Sequence, residues 1–189
     1  MANDAGISKE LIGQLIDGTV DDDNVLRLLK MGRKDPERFI NYTAALQERV
    51  SWPEPILLRL GDKLYIVRKG TDGRVVKCAC GHEFGDYRKN WKLGCRIRTR
   101  RTLAQMREVY DPAPACPEPG WQEIREFFCP QCATQHAVEV VALGYPIVFE
   151  MLPDLDKYYR DTLGRPLPDE SPDWYADHTV EITRRWAAH

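Results

Sequence analysis

The chain has 189 residues, of which 43% are hydrophobic and 30% are charged, with a formal net charge of −2. This length gives room for one substantial domain or two small ones with an ordinary globular surface. The small net charge argues against a strongly basic protein that attracts nucleic acid over its whole surface. No run of apolar residues approaches the ~20 that a membrane helix needs. The first five residues lack a hydrophobic signal region, so we expect a cytoplasmic protein with reduced thiols.

Three short amphipathic helices are predicted near the start of the chain. Apolar residues at helical spacing predict the first over residues 7–16, with Gly18 at its end. The acidic run at residues 21–24 offers N-caps for a second helix, and Pro36 suits the first turn of a third. Helices this short need a surface to pack on. We therefore assign residues 1–52 to an N-terminal helical segment.

Beyond residue 52 the pattern changes to short strands. Residues 56–60 and 64–67 flank Gly61-Asp62-Lys63 as a β-hairpin. These elements predict an α+β fold with a central zinc-ribbon-like antiparallel β domain over residues 53–146, followed by an extended C-terminal arm with helix over residues 147–189. The remaining predicted elements are strands at 74–77, 124–128 and 137–143, helices at 102–110, 154–163 and 174–186, and a proline-rich loop at 112–119.

Four of the six cysteines form two closely spaced pairs, Cys78-Ala79-Cys80 and Cys129-Pro130-Gln131-Cys132. A structural zinc ion takes four ligands in a tetrahedron, and such sites draw them from two short-spaced pairs in distant parts of the chain. Each pair adjoins a predicted strand, as in a zinc ribbon. Four thiolates leave no open position for water, so the sequence predicts a structural Zn²⁺ site at these four cysteines.

Other interpretations of the cysteines remain open at this point. The C-x-C spacing is tighter than C-x-x-C, and His82 or His136 lies close enough in sequence to replace a cysteine ligand. A separate alternative is a hydrolase or lyase whose catalytic zinc uses His82 or His136 and keeps a water ligand. An iron–sulfur cluster or four buried metal-free thiols would use the same residues. Cys95 and Cys116 have no partner at this spacing, and we interpret them as ordinary thiols.

The basic run at residues 96–101 is the main candidate for a different function. It could bind nucleic acid, with Tyr87 and Trp91 nearby to stack on bases, although such runs are more often a solvated or ion-paired strand face. The sequence shows no glycine-rich phosphate loop and no nucleophilic serine elbow. We therefore predict no catalytic residue and no stand-alone enzyme, and the alternative function is a zinc-ribbon adaptor for nucleic acid or protein.

Several segments of the chain resemble segments of a known family and occur in the same order. The chain is similar to the small zinc-containing subunit of bacterial ATP-dependent ketone carboxylases, the group of acetone carboxylase (its gamma subunit) and acetophenone carboxylase. The matching segments are KDPERF at 34–39, LQER at 46–49, CACGHEF at 78–84, NWKL at 90–93, WQEIREFFCPQC at 121–132 and LGRPLP at 163–168.

The resemblance implies an accessory subunit of a hetero-oligomer. In that family, large hydantoinase-like subunits bind ATP with a divalent cation and phosphorylate the ketone enol and bicarbonate, while the small subunit carries zinc away from the reaction. We therefore expect ATP and its cation on partner subunits only. The aromatic residues of the C-terminal arm, Tyr158, Tyr159, Trp174, Tyr175 and Trp186, fit a segment that docks on another subunit. A final helix that packs on its own chain is the alternative.

Overall fold

The computed structural model of the chain describes residues 6–32, 35–71, 73–110 and 115–187. Residues 1–5 and part of the predicted proline-rich loop, residues 112–114, lie outside this set. Within these ranges, no helix combines the length and the apolar character needed to cross a membrane.

The three predicted N-terminal helices are confirmed. They are α1 (Lys9–Asp17), α2 (Asp22–Lys30) and α3 (Arg38–Gln47). The Ser8 side chain caps α1 by accepting from a backbone N–H of the first turn, and Gly18 ends the helix with φ 68°, a left-handed conformation that suits glycine. Helices α1 and α3 pack against each other through Ile7, Leu11, Ile12 and Ala45.

The first sheet has four antiparallel strands in the order β1-β2-β3-β4. They are β1 (Ile56–Gly61), β2 (Leu64–Lys69), β3 (Gly73–Cys78) and β4 (Glu83–Asp86). The predicted hairpin is the β1–β2 pair, and the predicted strand at 74–77 is β3. One core cluster lies on this sheet and includes Leu57, Leu64, Ile66 and Val76.

The second sheet has three antiparallel strands in the order β5-β6-β7. They are β5 (Arg96–Arg100), β6 (Gln122–Phe128) and β7 (Gln135–Ala142), and a 3₁₀ turn, Trp91–Gly94, precedes β5. Helix α4 (Leu103–Arg107) follows β5 and is shorter than the predicted helix at 102–110. The structure therefore has the expected α+β class, with the predicted β region built as two sheets.

The C-terminal region packs against the first sheet of its own chain. Its elements are α5 (Leu155–Lys157), a π-helical turn (Tyr158–Thr162) and α6 (Val180–Ala187), so the predicted final helix is helical only from Val180 onward. Tyr159 is buried and donates its hydroxyl hydrogen to the Leu57 carbonyl oxygen at 2.9 Å. Tyr175 and Trp186 stay exposed, which leaves two large aromatic side chains on the surface of the arm.

A buried ionic cluster anchors this region. The Arg74 side chain on β3 is 5% exposed; its Nε donates to Asp169 at 2.7 Å and an Nη group donates to Asp156. Both carboxylates belong to the C-terminal region, and both side chains are almost fully buried. Charges buried in this way depend on their partners, so the cluster ties the C-terminal region firmly to the sheet.

Candidate metal centre

The two cysteine pairs lie where the two sheets meet. Cys78 is the last residue of β3 in the first sheet, and Cys129 directly follows β6 in the second. The Sγ atoms of Cys78 and Cys132 are 3.7 Å apart, as are those of Cys80 and Cys129. All four Sγ atoms lie within 4.8 Å of one another. The fold therefore converges four thiols from distant parts of the chain on one point.

The spacing of these sulfurs fits a tetrahedral zinc ion. With Zn–S bonds of about 2.3 Å, the edges of the tetrahedron measure about 3.8 Å. A disulfide would bring two sulfurs to about 2.05 Å, and all four cysteines are free thiols instead. The donor set is also the one that zinc prefers, since thiolates are soft ligands and suit zinc better than magnesium or calcium. The residues present therefore fit a bound Zn²⁺.

A tight turn follows the first cysteine of each pair. In the first turn, Gly81 has φ 98° and its N–H donates to the Cys78 carbonyl oxygen at 2.8 Å. In the second turn, Ala133 has φ 59° and its N–H donates to the Cys129 carbonyl oxygen at 3.0 Å. Both residues adopt a left-handed backbone conformation, which has a higher free-energy cost for alanine than for glycine. These turns place the second cysteine of each pair beside the first.

Burial and hydrogen bonds shift the pKa values of the thiols in opposite directions. Backbone N–H groups of Cys80, His82 and Thr134 are directed at the Sγ atoms of Cys78, Cys80 and Cys132, respectively. Burial raises the pKa of the Cys78 and Cys80 thiols. The Thr134 hydroxyl, 3.2 Å from Cys132 Sγ, lowers the pKa of that exposed thiol to about 6. A bound cation would stabilise all four thiolates and displace their protons.

The two candidate histidines are not part of this cluster. Among the residues that the structure describes, the group able to hold a metal ion comprises the four cysteines and neither His82 nor His136. The His82 ring packs edge-on against Phe84, with ring centroids 4.9 Å apart. The Nδ1 atom of His136 is 3.2 Å from the Asp62 carbonyl oxygen, and burial lowers the pKa of His136. Both rings therefore pack against Phe84.

The two remaining cysteines also lie outside the cluster. Burial raises the pKa of Cys95 to about 12, and its Sγ is 3.9 Å from the Trp91 carbonyl oxygen. Cys116 is a partly buried free thiol.

Sequence reasoning missed one residue that supports the site, Trp52. Its indole Nε1 donates to the Ala79 carbonyl oxygen at 3.1 Å, between the two cysteines of the first pair. Lys77 Nζ lies 5.0 Å from the centre of the indole ring and bonds Glu54 at 2.7 Å. The only local signal was a tryptophan directly after the helical region. Trp52 therefore connects the segment after α3 to the cysteine turn.

Most of the basic run forms β5, and three of its four arginines form ion pairs within the chain. Arg98 pairs with Glu108 at 2.8 Å, Arg100 with Glu126 at 2.7 Å, and Arg101 with Glu123 at 2.7 Å. Carboxylates that already hold these guanidinium groups compete with a phosphate backbone for them. The run is thus an ion-paired strand face, the alternative that the sequence offered to nucleic-acid binding.

Comparison with known proteins shows which family the chain belongs to. The family model described as acetone carboxylase gamma subunit matches residues 50–163, a range that includes both cysteine pairs. The chain belongs to the acetone carboxylase gamma subunit family. It is 42% identical over 165 residues to the acetone carboxylase gamma subunit of Xanthobacter autotrophicus, and the match covers 87% of this chain and 97% of that relative. The resemblance seen in the sequence is therefore confirmed.

A more distant relative belongs to a second ketone carboxylase. The chain is 27% identical over 116 residues to the acetophenone carboxylase beta subunit of Aromatoleum aromaticum, which covers 59% of this chain and 79% of the relative. Both relatives are named as subunits, so the acetone carboxylase gamma subunit family is one of multi-subunit carboxylases.

Proposed function

We propose that this chain is a zinc-binding structural subunit of a hetero-oligomeric ATP-dependent ketone carboxylase. The observation that carries the proposal is the set of four cysteine thiols that converge between the two sheets. Four thiolates fill every position of tetrahedral zinc and leave none for a catalytic water. The ion would then hold Cys78, Cys80, Cys129 and Cys132 together and stabilise the complex, while the reaction takes place on other subunits.

The proposed partners are large hydantoinase-like subunits that bind ATP and a divalent cation. Family membership supports a carboxylase complex, and the names of the two relatives point to acetone or acetophenone as the ketone. The exposed Tyr175 and Trp186 would anchor the C-terminal arm, residues 147–189, on such a partner, because large aromatic side chains are enriched at interfaces. Residues 1–52 and 53–146 remain our proposed helical and zinc-binding domains.

Two further features support this proposal over its alternatives. The arginines at 98, 100 and 101 are paired with glutamates of the same chain, which disfavours a nucleic-acid adaptor. The cluster of possible ligands in the described residues is made of cysteines, which disfavours a catalytic zinc with a histidine ligand. Free thiols at this spacing also suit a reducing compartment such as the cytoplasm.

The test is reconstitution of the carboxylase from purified subunits. Zinc-loaded wild-type chain should carry one zinc per chain and restore carboxylation when mixed with the large subunits. Cys129→Ser should lose both zinc and complex stability, and Cys116→Ser, outside the cluster, should keep both. A zinc-free chain that assembles and supports activity as well as the loaded chain would overturn the structural role of the metal.

A further inference from the structure

The 3₁₀ turn Trp91–Gly94 packs against residues that follow both cysteine pairs. Phe84 lies shortly after the first pair in sequence and His136 shortly after the second. The Trp91 ring meets both rings edge-on, with centroid distances of 6.0 Å to Phe84 and 6.1 Å to His136. A Cβ atom added to Gly94 would come within 3.2 Å of the Phe84 ring, so the turn fits closely. The position of the turn therefore depends on how far apart the two cysteine pairs lie.

Asn90 joins this turn to two other segments and is 1% exposed. Its Oδ1 accepts from the Lys92 backbone N–H at 3.1 Å, and its Nδ2 donates to the Ile147 carbonyl oxygen at 3.1 Å. Its backbone N–H donates to the Thr179 Oγ1 at 2.9 Å. A buried amide with these partners is costly to displace, because its polar groups would lose their hydrogen bonds. Asn90 therefore couples the position of the turn to that of Thr179.

The terminal segment, residues 173–187, is held by further polar contacts to the residues just before the turn. The His178 backbone N–H donates to the Arg88 carbonyl oxygen at 2.9 Å. Lys89 forms an ion pair with Glu181 at 2.7 Å. The contacts that hold this segment are thus concentrated beside the turn.

Helix α6 lies in the terminal segment and has little apolar support. It is eight residues long, and a helix this short is unstable in water without tertiary contacts. Val180 is 48% exposed and Trp186 is 57% exposed. Because these two large side chains contribute little burial, the order of α6 depends on the polar contacts at its start.

The earlier part of the C-terminal arm is anchored at a different place. Arg74 on β3 holds Asp156 and Asp169 through buried ion pairs, and the Tyr159 hydroxyl donates to a backbone carbonyl oxygen of β1. These anchors lie on the first sheet and do not involve the turn. A shift of the turn would therefore release the terminal segment while residues 155–169 stay docked.

We propose that metal occupancy of the cysteine cluster controls whether the terminal segment is docked. With the two cysteine pairs held together, Trp91 keeps its packing partners, Asn90 keeps its place and the terminal segment is ordered. When the pairs separate, the turn loses this support and the terminal segment detaches. The exposed Tyr175 and Trp186 are then no longer held in one arrangement. That a carboxylase subunit binds these two side chains rests on the proposed function above, whereas the coupling within the chain does not.

The test is hydrogen–deuterium exchange of the isolated full-length chain, measured by mass spectrometry at a temperature where the chelated chain is still folded. The samples are zinc-loaded wild type, chelated wild type, and zinc-loaded Thr179→Val and Thr183→Val. Thr179→Val keeps the shape of the side chain but removes the acceptor for the Asn90 N–H. Thr183→Val is the matched control, because Thr183 lies on α6 and its hydroxyl donates to the Val180 carbonyl oxygen of the same helix at 3.2 Å. Both variants should bind as much zinc as the wild type.

We expect chelation to speed exchange in the peptide 176–187 about tenfold or more, and Thr179→Val to do the same with zinc bound. The peptide 155–167 should change less than about twofold in every sample, and Thr183→Val should leave both peptides unchanged. Equal exchange of the terminal segment in loaded and chelated wild type, with zinc loss proven, would overturn the coupling and leave the structural role of zinc standing. Equal acceleration of both peptides would also overturn it, because that result means general loosening of the fold.

Affinity for the purified large subunits separates this inference from the proposed function. The zinc-loaded wild type should bind about tenfold or more tightly than either the chelated wild type or Thr179→Val, because both must order the terminal segment on binding. Fast exchange in Thr179→Val with wild-type affinity would overturn the part of the terminal segment in docking. A wild-type chain that shows the expected exchange but does not bind the large subunits would contradict the proposed function and leave the coupling within the chain intact.

Discussion

Removal of the proposed zinc ion should open a long loop and destabilise the chain measurably. Cys80 and Cys129 are 49 residues apart in sequence, and their sulfurs lie 3.7 Å apart. In the chain-entropy account of cross-links, closing a loop of this length stabilises the folded state by about 4 kcal/mol. A protein of this size shifts its melting temperature by about 2–4 °C per kcal/mol. The loss of zinc should therefore lower it by about 8–16 °C.

The assay is calorimetric melting of three samples at one pH: the zinc-loaded wild type, the chelated wild type and Cys129→Ser. The two metal-free samples should melt within a few degrees of each other, and both should melt well below the loaded chain. Cys116→Ser serves as the control for loss of a thiol outside the cluster, and it should melt like the wild type. A chelated chain with proven zinc loss and an unchanged melting temperature would refute the reasoning.

Three further substitutions test other parts of the account. Arg74→Gln leaves two buried aspartates without their cation, so it should lower the free energy of unfolding by about 3–5 kcal/mol and speed proteolysis of the C-terminal arm. The control Arg160→Gln removes an exposed ion pair and should change neither the stability nor the proteolysis rate. Trp52→Phe keeps an aromatic ring but leaves the Ala79 carbonyl oxygen without its hydrogen bond, which should destabilise the cysteine turn by about 1–3 kcal/mol. A chelator should therefore extract zinc faster from this variant than from the wild type. Equal extraction rates would contradict the role of Trp52 in supporting the site. Burial opposes the charge of Glu123, but hydrogen bonds from two arginines outweigh it and lower its pKa. The stabilising effect of that carboxylate is complete above the ordinary glutamate pKa of about 4.3 and is lost as the pH falls through its lower folded value. Melting curves of Glu123→Gln and wild type should therefore converge in acid and separate at neutral pH.

Features that depend on neighbouring residues were predictable from the sequence. Asp21 caps α2 with a side-chain oxygen, and Gly18 takes the left-handed conformation that ends α1. The β1–β2 hairpin follows from two apolar runs around a three-residue turn. The four cysteines stood out because short-spaced pairs have few other uses in a reducing compartment.

Features that depend on distant contacts were not predictable in the same way. The strand β4 (Glu83–Asp86) is four residues long, has no apolar alternation and contains Gly85 with φ 99°. It exists because it pairs with β3. The second sheet buries Arg100, Glu123 and Glu126. Their charges alone predict an exposed strand face, because the sequence does not show that they pair with one another and with Arg101. The contact from Trp52 to the cysteine turn likewise spans 27 residues and has no local signal.

The coordination sphere of the metal is the most direct test of the central claim. X-ray absorption at the zinc edge, on chain purified with its native metal, reports the type, number and distance of the ligands. A closed structural site predicts one zinc per chain with four sulfurs at about 2.3 Å and no nitrogen or oxygen ligand. A sphere that contains a histidine nitrogen or a water oxygen, or a chain purified without metal, would contradict it.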